Sequence, residues 1–134
     1  MLVFLVDVLR YLGATQVHID FMEESDPTNE EEFAKIRYDC EKRITWNEYL
    51  EGLENYKKYR FLKEIREKRN QLLKNSDWIM TVDNFDSLQN KEEWKDYRKQ
   101  LRDLPNTNIQ LVFENGRPVI DNSIFPTQPQ VIRQ

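Results

Sequence analysis

A chain of 134 residues and 16.3 kDa is one domain, or one small domain with arms. With 33% charged residues and a mean hydropathy of -0.82 the core is modest and the surface large, while three glycines, five prolines and 12% aromatics exclude a loop-rich β barrel, a collagen-like chain and a disordered one. Twenty basic against 24 acidic side chains, net -4, are not the footprint of a general nucleic-acid binder; the lone Cys40 excludes an internal disulfide and any multi-cysteine metal site and fits a reducing compartment, and the lone His18 excludes paired-histidine metal sites.

Charge divides the chain into three segments. Residues 1–40 carry 3 basic and 9 acidic side chains, residues 41–105 carry 15 and 13, and residues 106–134 carry 2 and 2. The expected organisation follows these blocks: an acidic N-terminal segment at 1–44, a helical hairpin at 45–105, and a short hairpin with an extended proline-containing arm at 106–134.

The first stretch, Met1–Leu12, is apolar but interrupted by Asp7. It lacks a basic start and is too short for a bilayer span, so it reads as a buried strand or helix, or as a contact surface for a partner. Val17, Ile19 and Phe21 alternate, which predicts a strand over Gln16–Phe21. An acidic turn over Glu23–Asn29 contains Pro27. Thr28 or Asn29 then caps a helix starting in Glu30-Glu31-Glu32, with Phe33, Ile36 and Cys40 on one face.

Thr45-Trp46-Asn47-Glu48 has the spacing of a capping box. Trp46, Tyr49, Leu50, Leu53 and Tyr56, then Leu62, Ile65, Leu72 and Leu73, continue a helical stripe to about Asn75. A helix of about thirty residues is ~45 Å long, against a radius of gyration of ~14 Å for a compact chain of this size. Either the helix breaks near Gly52 or the molecule is elongated, and the elongated form is expected. After Ser76-Asp77-Trp78 comes a polar connection of about fifteen residues, which must be anchored; Trp78 is the expected anchor. Asn90-Lys91-Glu92-Glu93 is a second capping-box candidate, opening a helix whose stripe is Trp94, Tyr97, Leu101 and Leu104, stopped by Pro105. Ile109, Leu111 and Phe113 alternate before Asn115-Gly116, a hairpin signal, and Pro118 makes the second strand an edge. Phe125-Pro126-Thr127-Gln128-Pro129 reads as a polyproline-like arm.

No constellation argues for catalysis or for a resident cofactor or metal. His18 and Asp20 share a strand face, but no nucleophile sits in a recognisable elbow, so they read as a surface pair. Cys40 adjoins acidic Glu41 on a helix stripe and reads as a core-packing residue, not a nucleophile. Asp83, Asn84 and Asp86 resemble a calcium-loop fragment, yet the positions that need Gly and Glu hold Leu88 and Trp94. The stretch Lys57–Lys74 carries eight basic residues against Glu64 and Glu67, with Tyr56, Tyr59 and Phe61 interleaved. Such a helix can lie along phosphates and stack on bases, or face an acidic protein.

The stretch from Ile65 to Pro105 carries a longer pattern. It contains Arg66, Arg69, Asn70, Leu72 and Leu73, then Ser76-Asp77-Trp78, then Leu88, Lys91, Trp94, Tyr97, Arg98, Leu101, Arg102, Asp103, Leu104 and Pro105. This resembles the phage tail assembly chaperone family. Phe125-Pro126-Thr127-Gln128-Pro129 is similar to a Trp-Pro-Thr-Lys-Pro segment common in such proteins, with Phe for Trp and Gln for Lys. The resemblance implies a non-catalytic viral assembly protein that shields or positions apolar segments of tail components.

Under this resemblance Arg66, Arg69, Asn70, Asp77, Trp78, Trp94, Tyr97, Arg98, Arg102 and Asp103 are expected to hold the fold. Asp77 and Asp103 would pair with the arginines, and Trp78 would plug the end between the helices. Partner binding falls to Leu2, Phe4, Leu5, Tyr56, Tyr59, Phe61, Phe125, Pro126 and Pro129. The fold class expected is mainly α: a helical hairpin with one long helix, minor β in the N- and C-terminal segments, elongated. The partners expected are other viral structural proteins, with no membrane span, in the virion or the cytoplasm of an infected host. Two other readings stand beside it: a permanent virion component (tail, baseplate or minor capsid protein), and nucleic-acid binding through 57–74.

Overall fold

A computed structural model describes residues 2–18 and 25–134. The element order is α1 (Leu5–Tyr11), β1 (Val17–His18), α2 (Glu30–Phe33), β2 (Arg37–Tyr38), α3 (Trp46–Ser76), a 3-10 turn at Asp77–Met80, α4 (Val82–Asp86), α5 (Lys91–Asp103), a 3-10 turn at Leu104–Asn106, β3 (Phe113–Glu114), β4 (Arg117–Pro118) and a 3-10 turn at Asn122–Ile124. The protein is mainly α, and the sheets among the described residues are two short strand pairs, β1–β2 and β3–β4. The chain divides into two units, one of Met1–Arg60 with Phe113–Arg117 and one of Phe61–Val112 with Pro118–Gln134. Helix α3 gives its first half to one and its second half to the other.

In the first unit, α1 buries Leu5, Val8 and Leu9. Its own N-cap, Phe4, has no capping side chain. Asp26 supplies one from far along the sequence: Oδ1 accepts from the backbone N–H of Val3 (3.1 Å) and Leu5 (3.0 Å), and Oδ2 from Phe4 (3.0 Å). These are orphan donors of a helix start. Asp26→Ala therefore lowers the stability of this unit by about 1–2 kcal/mol, with Asp26→Asn recovering part of it. A denaturant melt of the two variants checks this.

The strand expected over Gln16–Phe21 is present at Val17–His18, which pairs antiparallel with Arg37–Tyr38; Ile19, Asp20 and Phe21 lie outside the described residues. The helix expected from Glu30 to Cys40 is corrected. Asn29 does cap it, its Oδ1 accepting from the Glu32 N–H at 2.8 Å. But α2 ends at Phe33, because Arg37 and Tyr38 satisfy their backbone groups in the ladder with β1. Cys40 therefore lies beyond a strand, not on a helix face, with Sγ 3.5 Å from the Gln16 carbonyl.

The capping box at the start of α3 forms as expected. Glu48 N–H donates to Thr45 Oγ1 and Thr45 N–H to Glu48 Oε1, both at 3.1 Å. The latter bond holds the Glu48 carboxyl below its ordinary pKa. Helix α3 then runs unbroken through Gly52 to Ser76. Gly52 lets Leu12 pack close to α3: a Cβ there would lie 2.7 Å from Leu12 Cδ1, and the leucine side chain would have to shift. Leu50, read as part of the apolar stripe, is exposed instead. Stacked Phe33, Trp46 and Tyr49 join Leu5, Val8, Leu9, Ala14, Ile36 and Ile44 in the core. Asn115 (φ 52°) and Gly116 (φ 79°) make the tight turn expected between β3 and β4. The strand itself is shorter than the 109–113 alternation suggests, since Ile109 and Leu111 lie outside it.

Burial pushes the phenols of Tyr38, Tyr49 and Tyr56 above their ordinary value of 10.0, and at Tyr49 the charge of Asp26 adds to it. A raised phenol pKa leaves stability intact below pH ~10 and removes it above, because the unfolded phenols ionise first. Melting temperature is expected to hold level to about pH 9.5 and to fall beyond pH 10. Tyr49→Phe should flatten the decline, and an equally steep decline in that variant would contradict this assignment.

In the second unit, Phe61 and Ile65 of α3, Ile79, Leu88, and Trp94, Tyr97, Leu101 and Leu104 are buried with Phe125. The four-residue stripe of α5 is thus as expected, and the helix gives way at Leu104–Asn106 to a 3-10 turn containing Pro105. The connection from α3 to α5 is not an open loop, since it folds into a 3-10 turn and α4. Its anchor is Ile79, fully buried, whereas Trp78, the expected anchor, is 45% exposed. A 3-10 turn puts consecutive side chains on different faces, and Ile79 takes the inward one.

Candidate partner-binding surface

The motif residues separate into those that build the second unit and those left on its surface. At the junction of α3 and α5, Arg98 Nη1 donates to the Leu73 carbonyl (2.9 Å) and to Ser76 Oγ (2.7 Å), and Nη2 donates to Asp77 Oδ1 (2.8 Å). Ser76 is buried, and its hydroxyl lies 3.1 Å from the Leu72 and Leu73 carbonyls. The last turn of a helix leaves carbonyls without internal partners. Arg98, whose side chain is 14% exposed, answers them with a planar fork. Trp94 is fully buried, packed edge-on against Tyr97 with centroids 5.9 Å apart, and its indole N–H donates to the Gln130 carbonyl at 3.3 Å. Burial raises the Tyr97 phenol pKa.

The other arginines behave differently. Arg69 donates to Asn70 Oδ1 on the same helix, at 3.1 Å and 2.9 Å, and Arg66, Asn70 and Arg102 are exposed. Asp77 pairs with Arg98 as expected, but Asp103 pairs with Lys99 (3.3 Å) rather than with an arginine. The reason is spacing, because Lys99 lies one turn before Asp103 on α5. His18 meets Asp39 and both side chains are exposed; Asp20, expected on the same strand face, lies outside the described residues.

Three residues expected at a partner surface are interior. Leu5 and Phe61 are fully buried and Phe125 nearly so, because each is an apolar side chain on the inward face of its own unit. Leu2, Phe4, Tyr56, Pro126 and Pro129 are half-buried. Phe4 packs edge-on against Phe113 at 5.5 Å with Lys57 Nζ over its ring. Tyr59 is exposed and stacks on exposed Tyr11 at 5.8 Å, with Tyr56 beside it. In the basic run, Lys68 bonds Asn122 and lies over the Phe125 ring, so it serves the fold. With Phe61 buried, one of the three aromatics offered for base stacking is lost.

The open surface of the second unit includes an apolar group and two neighbouring grooves. Trp78, Met80 and Val82 form an exposed apolar group on the 3-10 turn and α4, Val82 at 74%. An open groove of about 330 Å³ lies between α5 and the arm, lined by Glu93, Asp96, Tyr97, Gln100 and Pro126–Pro129. A neighbouring groove of about 350 Å³ shares Gln100 and Pro126 and adds Asp103, Leu104, Thr107 and Ser123–Phe125.

Reading the residues alone missed the docking of the arm. Asn90 opens α5 but makes no capping bond to it. Its amide turns to the arm, Nδ2 donating to the Gln130 carbonyl (2.8 Å) and Oδ1 accepting from the Ile132 N–H (3.4 Å). The Asn-x-x-Glu spacing is shared by both uses, so no local signal separates them. Ser76 was visible only as a polar residue at a helix end.

A family model described as phage tail assembly chaperone protein matches residues 62–130, from the last turns of the α3 core to the arm residue that receives the Trp94 indole. No curated protein and no solved structure matches the chain. The matched residues exceed half of the chain and contain the α3–α5 junction, the exposed Trp78 group and both grooves, and the chain therefore belongs to the phage tail assembly chaperone family.

Proposed function

We propose that the protein is a non-catalytic binder of other viral structural proteins during tail assembly, acting in the cytoplasm of the infected host. Membership of the family supports a role in phage assembly. The observation that carries the finer reading is Trp78, a motif residue left 45% exposed beside Met80 and Val82. A large exposed aromatic with apolar neighbours is a common anchor of protein interfaces. The ligand class is an apolar segment of a tail component, covered until it is built in. Among the described residues no helix is long and apolar enough to cross a membrane.

Trp78→Ala tests this, because Trp78 contributes little to the core. Its melting curve should shift by less than about 1 kcal/mol in stability. Capture of tail proteins by the tagged chain from infected cells should fall about tenfold. Undiminished capture would remove Trp78 from the binding surface.

A further inference from the structure

We infer that residues 84–94 form a strand-addition site, and that its occupant in trans is the 130–134 segment of a second copy of this chain. This goes beyond the binding of tail components and does not depend on it. The site is laid out along a short edge. Leu88 bridges antiparallel to Arg133; the Gln89 N–H donates to the Ile132 carbonyl (2.7 Å), and the Gln134 N–H to the Ser87 carbonyl (3.0 Å). The Asn90 amide then continues the ladder, pairing with the Gln130 carbonyl and the Ile132 N–H as a peptide unit would. Trp94 adds its indole N–H to the Gln130 carbonyl. One side chain fixes the register: Arg133 Nη1 donates to the Asn84 carbonyl (2.8 Å) and to Ser87 Oγ, and Nη2 to Asn84 Oδ1 (3.3 Å).

This is recognition by main-chain bonds plus one guanidinium, the pattern of an added strand. The arm's own apolar side chains are only partly covered: Val131 and Ile132 are 41% and 42% exposed. Exposed hydrogen bonds without buried apolar contact open at low free-energy cost. The lead-in, Pro126–Pro129, carries no helix or strand and has two residues of fixed φ. A segment released there can enter another copy, since the matching donors and acceptors are identical in every copy. The cis arm wins at low concentration because its effective concentration is in the millimolar range. A second copy gains once cis binding is disabled or protein is crowded.

Two full-length variants separate the halves of the contact. Arg133→Ala disables the arm and leaves the site. Asn90→Ala disables the site and leaves the arm; in α5 it removes no bond to a backbone N–H, only the exposed side-chain bond to Glu93 (3.2 Å). Each alone should sediment as a monomer with unchanged helical circular dichroism. Mixed, they restore one good contact and should give a species of twice the monomer mass. A fluorescein-labelled peptide of residues 126–134 should bind the Arg133→Ala chain about tenfold more tightly than the wild-type chain, whose site is filled. A mixture that stays monomeric overturns the inference. So does a scrambled peptide binding as tightly as the arm sequence, which would make the site a general acceptor rather than one for this segment.

Discussion

Trp94→Ala lowers the stability of the second unit by about 3–5 kcal/mol, the range for emptying a fully buried indole site. The loss has two parts. The larger is the cavity left beside Tyr97, whose ring meets the indole edge-on at 5.9 Å. The smaller is the Gln130 carbonyl, which loses the indole N–H at 3.3 Å. For a chain of this length the melting temperature falls by roughly 10–20 °C. Trp94→Phe keeps most of the packing, drops the hydrogen bond, and should recover more than half. A Trp94→Ala variant melting within about 3 °C of the wild type would contradict the placement of this residue at the centre of the unit.

Arg98→Ala has the next largest effect, about 2–4 kcal/mol. The change takes the guanidinium from buried Ser76 and from the Leu73 carbonyl, which keep the bonds from the Ser76 hydroxyl to the Leu72 and Leu73 carbonyls. The ion pair with Asp77 is a minor part, because the Asp77 side chain is 62% exposed and screened by water. Asp77→Ala should therefore cost less than about 1 kcal/mol, and Arg98→Lys should recover less than half of the loss, since an ammonium cannot present the fork. Chemical denaturation of the three variants separates these contributions. If Asp77→Ala were as damaging as Arg98→Ala, the junction would depend on the ion pair and not on the helix-end carbonyls.

What was legible in the sequence was local. The stripe Trp94, Tyr97, Leu101 and Leu104 fixes a helix face by spacing alone, and all four are buried. Thr45 and Glu48 lie three residues apart and meet as a capping box. Asn115-Gly116 supplies the two positive φ angles of a tight turn. The misreadings have longer reach. Asp26 caps a helix more than twenty residues before it. Asn90 has both a local and a distant use and makes both: its Nδ2 donates to Glu93 Oε2 one turn on (3.2 Å) and to the Gln130 carbonyl forty residues away. Phe33, Ile36 and Cys40 match a helical period, but a short helix followed by a strand satisfies the same spacing. Trp78 and Ile79 are both apolar, and only the turn decides that Ile79 faces inward. Leu5, Phe61 and Phe125 look like surface anchors because large apolar residues serve cores and interfaces alike. Trp78, assigned to the fold with Arg66, Asn70 and Arg102, is left exposed as they are, and it is the large aromatic among them.

Under the proposed function the family motif has two parts: residues that build the unit, Trp94 and Arg98 foremost, and an exposed group around Trp78 proposed to bind other viral proteins. Mass spectrometry of material captured on the tagged chain from infected cells, run beside purified mature particles, tests that division most directly. The account predicts tail components in the captured material, their loss with Trp78→Ala, and absence of the chain from mature particles. Stoichiometric presence of the chain in mature particles would contradict it and make the protein a permanent part of the virion.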